Sequence, residues 1–276
     1  MSGRRPPVAL ALDVGTSSVR AMLFTREAAP VDGAEVQLKY RRTLRGDGTA
    51  EVDVDELFEV TLNTIDGLLS QQRGARDIAA VGISTFWHGL LAAADEQPLT
   101  PLILWSDSRS WRAADQLRRQ VDAEAIRQRT GCAIHPTYWP AKLVWLRKER
   151  PELWRRKPKW LSFGELLCWR LFGRPVTSVS LASGTGLLGV RECEWDGALL
   201  QRLHIDRESL PPICDMLSGL RPEFARRWPG LARVPWTVPL GDGALASLGS
   251  GCVEPSVRAL TIGTSGAMAP PPSPLI

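Results

Sequence analysis

The chain has 276 residues, of which 44% are hydrophobic and 23% charged, so its composition excludes disorder over most of its length and predicts a globular protein. The 34 basic and 30 acidic residues give a formal charge of +4, which does not call for a nucleic-acid partner. Five cysteines without metal-ligand spacing favour reduced thiols in a cytoplasmic protein, and no segment is long enough to span a membrane.

The first part of the chain predicts three strands followed by an amphipathic helix. Apolar runs at 8–12 and 19–25, joined by a Gly-Thr-Ser-Ser turn at 15–18, are typical of a hairpin, and 35–42 is a third strand candidate. Asp53, with a glutamate three residues later, predicts a capping box where the helix begins. The helix is indicated by apolar residues at helical spacing: Phe58, Leu62, Ile65 and Leu69.

Strands and helices alternate through the middle of the chain, which indicates a layered α/β domain. Residues 78–84 and 101–106 have the composition of buried strands, and 111–121 is predicted to be a helix with its charges on one face. Residues 142–172 predict two or three helices interrupted by prolines. A stretch rich in Gly and Ser follows and predicts loop or strand, before a further helix near 195–203.

A carboxylate stands just before a small-residue turn near the N-terminus, in ALALDVGTSSVRAM. Backbone N–H groups and hydroxyls of the turn, formed by Gly15, Thr16, Ser17 and Ser18, can face a phosphate. Asp13 could then hold Mg²⁺, directly or through water, because a hard cation prefers oxygen ligands. The alternative is an Asp-Gly turn that binds nothing, and this motif alone does not decide between the two.

A second carboxylate, Asp242, lies between two glycines in PLGDGALASLGSG, directly before a predicted helix. With little side-chain bulk beside it, this carboxylate can accept a proton from a hydroxyl that attacks a phosphoryl group. The alternative is a structural aspartate that caps the helix. Further on, ALTIGTSGAM repeats the opening plan of an apolar strand followed by a phosphate-loop turn, here Gly263, Thr264 and Ser265.

In combination, these motifs resemble the FGGY carbohydrate kinases, within the superfamily that includes actin and the heat-shock chaperone ATPases. The resemblance runs over residues 8–268 and is carried in order by ALDVGTSSVRA, GISTFWHGLL with PLILWSDSRS, TGCAIHPTYWPAKLVWL, ASGTGLL, and GDGALASLGSG with ALTIGTSGAM. It implies an α/β, ribonuclease-H-like fold of two domains. It also implies ATP-dependent phosphorylation of a sugar, sugar-acid or polyol hydroxyl, of the gluconate or pentulose class, in the cleft between those domains.

The resemblance also implies roles for particular residues. Asp242 is the expected catalytic base, and Asp13 and Asp242 are the expected metal-associated carboxylates. The nucleotide phosphates are expected to contact the first turn, at Gly15, Thr16, Ser17 and Ser18, and the late turn, at Gly263, Thr264 and Ser265. The expected substrate contacts are Trp87, His88, Trp105, Tyr138 and Asp242, because aromatic faces pack on sugar C–H groups while His and Asp bind hydroxyls. Without the motif context, each Trp is more simply a core residue and His88 a packed histidine.

The family chain is about twice this length, and the resemblance divides this chain into three parts. Residues 1–237 are expected to be the substrate domain, 238–268 the opening elements of the nucleotide domain, and 269–276 a disordered proline-rich tail. We therefore expect impaired or no kinase activity from the isolated chain, and a partner in the form of a separate chain that supplies the missing domain, or self-association. The alternative is a non-catalytic sugar-binding or interaction remnant.

Two local features complete the sequence-based expectations. Ser178 and Gly189 stand where the family often has Asp, and their loss is expected to loosen the site. The basic, Trp-containing run at 147–160 could suggest single-stranded nucleic acid, but its two prolines favour the solvated face of two surface helices.

Overall fold

A seven-stranded mixed sheet forms the centre of the molecule in a computed structural model that describes residues 6–71, 77–254, 256–262 and 266–269. The strands in chain order are β1 (Val8–Val14), β2 (Ser18–Phe24), β3 (Pro30–Lys39), β4 (Thr43–Leu44), β5 (Ala50–Val52), β6 (Ile78–Thr85), β7 (Leu91–Ala94), β8 (Gln97–Pro98), β9 (Leu102–Ile103), β10 (Lys159–Leu161), β11 (Leu188–Gly189), β12 (Glu194–Trp195), β13 (Met216–Leu217), β14 (Trp236–Thr237), β15 (Leu240–Gly241), β16 (Ala259–Ile262) and β17 (Gly266–Ala269). The helices are α1 (Val54–Gln71), α2 (Trp111–Arg118), α3 (Ala123–Thr130), α4 (Trp139–Glu149), α5 (Glu152–Arg155), α6 (Phe163–Phe172), α7 (Val179–Ser183), α8 (Gly197–Leu203), α9 (Pro222–Arg227) and α10 (Asp242–Gly249).

The central sheet has the strand order β13-β14-β6-β1-β2-β3, with β15 also paired to β6. Strands β1 and β2 form the predicted hairpin, in which Val14 pairs with Val19. Strands β1, β14 and β15 are all parallel to β6, so the carboxyl ends of β1, β6 and β15 meet at one edge of the sheet. Charged and small side chains that follow these strands are therefore brought together there.

The predicted first helix is confirmed as α1, but only one half of its capping box forms. The Asp53 carboxylate accepts hydrogen bonds from the backbone N–H groups of Asp55 and Glu56, each at 2.9 Å. The Glu56 carboxylate instead accepts from the backbone N–H of Arg41 at 3.0 Å, because the preceding loop brings that donor within reach. The apolar face of α1 packs against β2 and β3 in the main core.

A second hydrophobic core lies between the helices α2, α3, α4 and α8 and the smaller sheets, which contain β7, β9, β10 and β11. Most differences between the sequence-based expectations and the structure are found in this region. Of the strand predicted at 101–106, only Leu102–Ile103 forms a strand. The stretch at 142–172 forms most of α4, then α5 and α6, and the strand β10, which was not predicted, lies between α5 and α6. The Gly- and Ser-rich stretch contains helix α7, which forms because the Ser178 hydroxyl caps it by accepting from the N–H of Leu181.

The basic run at 147–160 ends α4 and forms α5 and the start of β10, and its aromatic rings pack within the protein. The rings of Trp154 and Trp160 lie 4.8 Å apart, and Arg147 stacks on Trp154 at 4.9 Å. Because these rings pack against other parts of the protein, the run is better described as surface helices than as a nucleic-acid-binding segment. No helix of the described ranges is long and apolar enough to cross a membrane.

The end of the described chain carries α10 and a second hairpin. Strand β16 pairs antiparallel with β17. The late turn formed by Gly263, Thr264 and Ser265 and the tail from 270 onward lie outside the described residues. Strand β15 pairs with β6 although it falls after the expected boundary at 237/238, and the domain division remains a prediction.

Candidate active site

Two carboxylates from distant parts of the sequence lie at the same edge of the central sheet. Asp13, near the end of β1, pairs with Ser84 of β6, and Ser84 also pairs with Leu240 of β15. Asp242 follows β15 directly and is the first residue of α10, while Gly241 occupies the capping position. Asp242 is therefore not the side-chain cap of its helix, and its carboxylate is available for another role.

The Asp242 carboxylate is half-buried and held by backbone donors. Its Oδ1 accepts from the N–H of Gly243 at 2.8 Å and from the N–H of Trp87 at 3.3 Å. Burial raises the pKa of this carboxyl above its usual value, and the negative charge of Asp13 adds to the rise, against the lowering by the two N–H donors. A raised pKa makes Asp242 a better proton acceptor than an ordinary surface aspartate.

Trp87 packs into a space that only glycines leave open. A Cβ atom added to Gly241, Gly243 or Gly184 would lie 1.8, 2.6 or 2.4 Å from the indole ring of Trp87. The indole Nε1 donates to the backbone carbonyl of Ser180 at 2.9 Å. The ring is thereby fixed against the strand and helix that carry Asp242.

His88 is held in one tautomer beside Trp87. Its Nδ1 lies 2.5 Å from the carbonyl oxygen of Gly184, and since a carbonyl only accepts, Nδ1 carries the proton. Nε2 of the neutral ring is then a hydrogen-bond acceptor. Burial lowers the pKa of His88 to about 4, so the ring is neutral at physiological pH. The Tyr138 ring meets it edge-on at a centroid distance of 4.9 Å.

The first turn is closed by its own bonds and connected to Trp105. The N–H of Gly15 donates to the carbonyl of Ser18 at 3.0 Å, and the Tyr40 hydroxyl donates to the carbonyl of Gly15 at 2.6 Å. The indole Nε1 of Trp105 donates to the Thr16 hydroxyl at 3.2 Å. A predicted nucleotide contact and a predicted substrate contact are thus in direct contact with each other, while Ser17 is exposed.

The donor set at this edge fits a hard cation that retains water. No group of three or more His, Cys, Asp or Glu side chains suited to a metal occurs within the described ranges. The exposed Asp13 of β1 and the half-buried Asp242 that follows β15 lie on the two sides of β6 at the same sheet edge, and Mg²⁺ is commonly bound by one or two carboxylates together with phosphate oxygens and water.

Two groups behind the site were missed by sequence reasoning. The buried Asp107 carboxylate accepts from the Arg109 guanidinium at 2.7 Å and from the N–H of Ala50 at 2.9 Å, and Arg109 also pairs with Glu51. In the sequence, the only indication of this ion pair is that an aspartate and an arginine stand two residues apart in SDSR. The second is the buried Lys142, whose signal was a lysine within the otherwise apolar segment WPAKLVWL.

The structure brings the described site residues into two groups, one of Asp242, Trp87, His88 and Tyr138 and one of Thr16 and Trp105. Ser178, at a position where an acidic residue was expected, donates to the carbonyl of Pro239 at 2.7 Å and so joins α7 to the segment before Asp242. The predicted contacts at Gly263, Thr264 and Ser265 lie outside the described residues.

The sheet edge brings two carboxylates together, and comparisons with known proteins identify the fold as that of the actin-like ATPases. Residues 8–249 match the FGGY family of carbohydrate kinases, N-terminal domain. The chain is similar to the gluconokinase of Bacillus subtilis, with 29% identity over 94% of this chain and 51% of that protein. It is also similar to the xylulose kinase of Escherichia coli, with 30% identity over 93% of this chain and 53% of that protein.

Solved structures give the same result. The gluconate kinase from Lactobacillus acidophilus superposes with a TM-score of 0.88 at 28% identity, covering 95% of this chain and 53% of that one. The chain belongs to the FGGY family of carbohydrate kinases, which are phosphotransferases with an alcohol group as acceptor. It spans about half the length of the curated relatives that it matches.

Proposed function

We propose that this chain carries the substrate side of an ATP-dependent carbohydrate kinase, with a sugar or sugar acid of the gluconate or pentulose class as acceptor. The observation that carries the proposal is the position of Asp242, which lies at the meeting edge of β1, β6 and β15 with a raised pKa and two backbone donors on one oxygen. His88, Trp87 and Tyr138 lie beside it as one connected group.

In this proposal, Asp242 removes the proton from the attacking hydroxyl of the sugar. The Trp87 and Gly243 N–H groups fix one carboxylate oxygen, so the other oxygen is left for that hydroxyl. The Nε2 atom of His88 accepts from a second hydroxyl, because its Nδ1 proton is already donated to Gly184. Tyr138 and Trp105 supply aromatic faces for the C–H surface of the sugar.

Bound MgATP would supply the γ-phosphoryl group, and its metal ion would neutralise phosphate charge. Asp13, together with Asp242, would hold the ion. The turn at Gly15, Thr16, Ser17 and Ser18 would face the phosphates, together with Gly263, Thr264 and Ser265 beyond the described ranges. Members of the family use ATP and generally need a divalent metal; Mg²⁺ is our proposal for this chain.

We expect the 276-residue chain to bind its sugar but to turn over little or none of it. Catalysis of this type needs the nucleotide held and the cleft closed, and the chain matches about half of its relatives. We expect it to act in the cytoplasm, where ATP is available and its five thiols, all of them free in the structure, stay reduced.

A second candidate function is a non-catalytic sugar-binding or interaction protein. The observation that favours it is the apolar surface at the end of the chain, where Leu248, Val253 and Leu260 are 60%, 55% and 66% exposed. Large apolar side chains exposed along one stretch of the sequence favour a surface that another polypeptide covers. That polypeptide would be the second domain of an FGGY kinase or another copy of this chain.

The test is calorimetric titration of the folded chain with gluconate, xylulose, ribulose and glycerol, combined with ADP release from Mg-ATP in the same samples. Binding of one of these without turnover is the expected result. Turnover that Asp242→Asn abolishes would establish the kinase and refute our expectation of inactivity. Binding that Asp242→Asn and His88→Asn leave unchanged would favour the interaction protein, and no binding by a folded sample would refute the proposed function.

A further inference from the structure

The side chain of Lys142 is buried directly behind the proposed sugar site. It is 1% exposed and lies on α4, one helical turn after Tyr138. Its ammonium donates to the backbone carbonyl of His88 at 2.7 Å and to that of Leu104 at 2.9 Å. One cation therefore meets two separate segments of the chain.

Both segments carry predicted substrate contacts. The carbonyl of Leu104 belongs to the peptide that leads into Trp105, and His88 is itself a predicted contact. His88 has a positive φ of 67°, a conformation that non-glycine residues rarely adopt and that needs support from its surroundings. The Lys142 bond holds its carbonyl, while the Gly184 carbonyl holds its ring.

Packing alone does not explain a lysine at this position. Burying an ammonium is costly, and burial lowers the pKa of Lys142 to about 7 in spite of the opposing negative charge of Asp107. No carboxylate of the described ranges lies within salt-bridge distance of it, and Asp107 is paired with Arg109. A methionine would fill similar space at lower cost, so the two hydrogen bonds are what the lysine adds.

We propose that Lys142 is a positioning residue that fixes the spacing between the His88 segment and the Trp105 segment, and thereby the shape of the sugar site. The effect of Lys142 on the sugar site rests on the proposed function. Its effect on the spacing of the two segments does not, because the contacts involved are between protein groups. Lys142 itself does not touch the substrate.

The first experiment needs no ligand and uses the intact 276-residue chain. Side-chain NMR signals of the Trp105 indole and the His88 ring are compared in wild type, Lys142→Met and the control Lys148→Met, which makes the same change at an exposed position of α4. We expect both signals to move in the first variant only, with the signals of the remote Trp228 and Trp236 unchanged. Unmoved Trp105 and His88 signals in folded Lys142→Met would overturn the proposal.

If Lys142→Met does not fold, the wild type decides the question. The Cε signal of labelled Lys142 is followed from pH 6 to 9, a range around its pKa of about 7. Among the described residues, Lys142 interacts with His88, which has a pKa of about 4, and with Asp107, which pairs with Arg109; Tyr138, whose pKa is raised, lies one helical turn before it. We expect the His88 and Trp105 signals to follow the Lys142 midpoint, and independence from it would contradict the proposal.

Sugar affinity then separates the two proposals. If the wild type binds a sugar, Lys142→Met should weaken binding at least about tenfold, the effect of losing roughly 1.4 kcal/mol, while Lys148→Met stays within about twofold. Equal affinity of both variants would overturn the positioning role at the sugar site. If the wild type binds no sugar, the proposed function fails. The NMR comparison then remains as the test of whether Lys142 fixes the spacing between the two segments.

Discussion

The backbone N–H of Trp87 donates to Oδ1 of Asp242 at 3.3 Å, while the indole of the same tryptophan lies against the glycines on both sides of that aspartate. One residue thus touches Asp242 through its backbone and supports the surrounding turn through its ring. The proposed base is consequently held by a segment 155 residues earlier in the chain.

Gly241→Ala should displace the Trp87 ring, because the added Cβ would lie 1.8 Å from its Nε1. We expect unfolding by urea to show a loss of about 2 kcal/mol, the range found for overpacked sites. Gly197→Ala is the control, since a Cβ there meets nothing within 4 Å, and it should stay within about 0.5 kcal/mol. A loss of the same size in both variants would contradict the packing of Trp87.

His88 should make stability fall in weakly acidic solution. Its pKa in the folded protein is about 4, below the ordinary 6.5, so the unfolded state binds more protons and the free energy of unfolding falls as the pH drops from about 6.5 to about 4. The contribution of this pKa difference is at most about 3.5 kcal/mol, at about 1.4 kcal/mol per pH unit.

The variant His88→Asn tests this pH dependence, because asparagine tolerates a positive φ and does not titrate. Urea unfolding at pH 7, 5.5 and 4.5 should show a shallower decline in this variant than in wild type. Parallel declines in the two proteins would show that His88 is not buried in its neutral form.

Thr16→Val should weaken sugar binding without touching the sugar. The valine keeps the shape but removes the acceptor for the Trp105 indole, at a cost of about 1 kcal/mol for the unpaired donor. Calorimetry should show an affinity about fivefold lower, while Ser17→Ala, at the exposed neighbour, leaves it unchanged. Unchanged affinity in Thr16→Val would remove Trp105 from the site.

Asp107→Ala should be strongly destabilising, because it leaves the Arg109 guanidinium and the N–H of Ala50 without their buried partner. We expect a loss of about 3 kcal/mol in the free energy of unfolding. Glu35→Ala, which breaks the exposed pair with Arg20, should cost less than about 0.5 kcal/mol. Similar losses in the two variants would contradict a structural role for the Asp107 network.

Local patterns made part of this structure predictable. The alternation of buried residues in β1 and β2 and the helical spacing in α1 act within a few residues, so the opening hairpin and the first helix could be predicted. Helix α7 could not, because it has five residues in a Gly- and Ser-rich stretch and depends on its cap at Ser178. The motifs identified Asp13 and Asp242 as candidate site residues, but they did not predict the hydrogen bonds that orient Asp242.

Those contacts depend on long-range packing. The carbonyl partners of Lys142 lie 54 and 38 residues away in sequence, so the apolar segment around this lysine could indicate burial but not which groups it contacts. The same holds for Trp87, whose place is decided by three glycines on other segments of the chain. The sequence alone could identify Trp87 only as a candidate site residue, because the fold decides which residues come into contact.

The most direct measurement is an NMR titration of the 276-residue chain with the sugar that calorimetry selects, observing the Asp242 carboxyl carbon and the His88 ring. If these residues form the sugar site, both signals move with sugar concentration and give the same dissociation constant, and Lys148 signals stay still. A sugar that binds in a saturable manner but leaves the Asp242 and His88 signals unmoved would contradict the site described above.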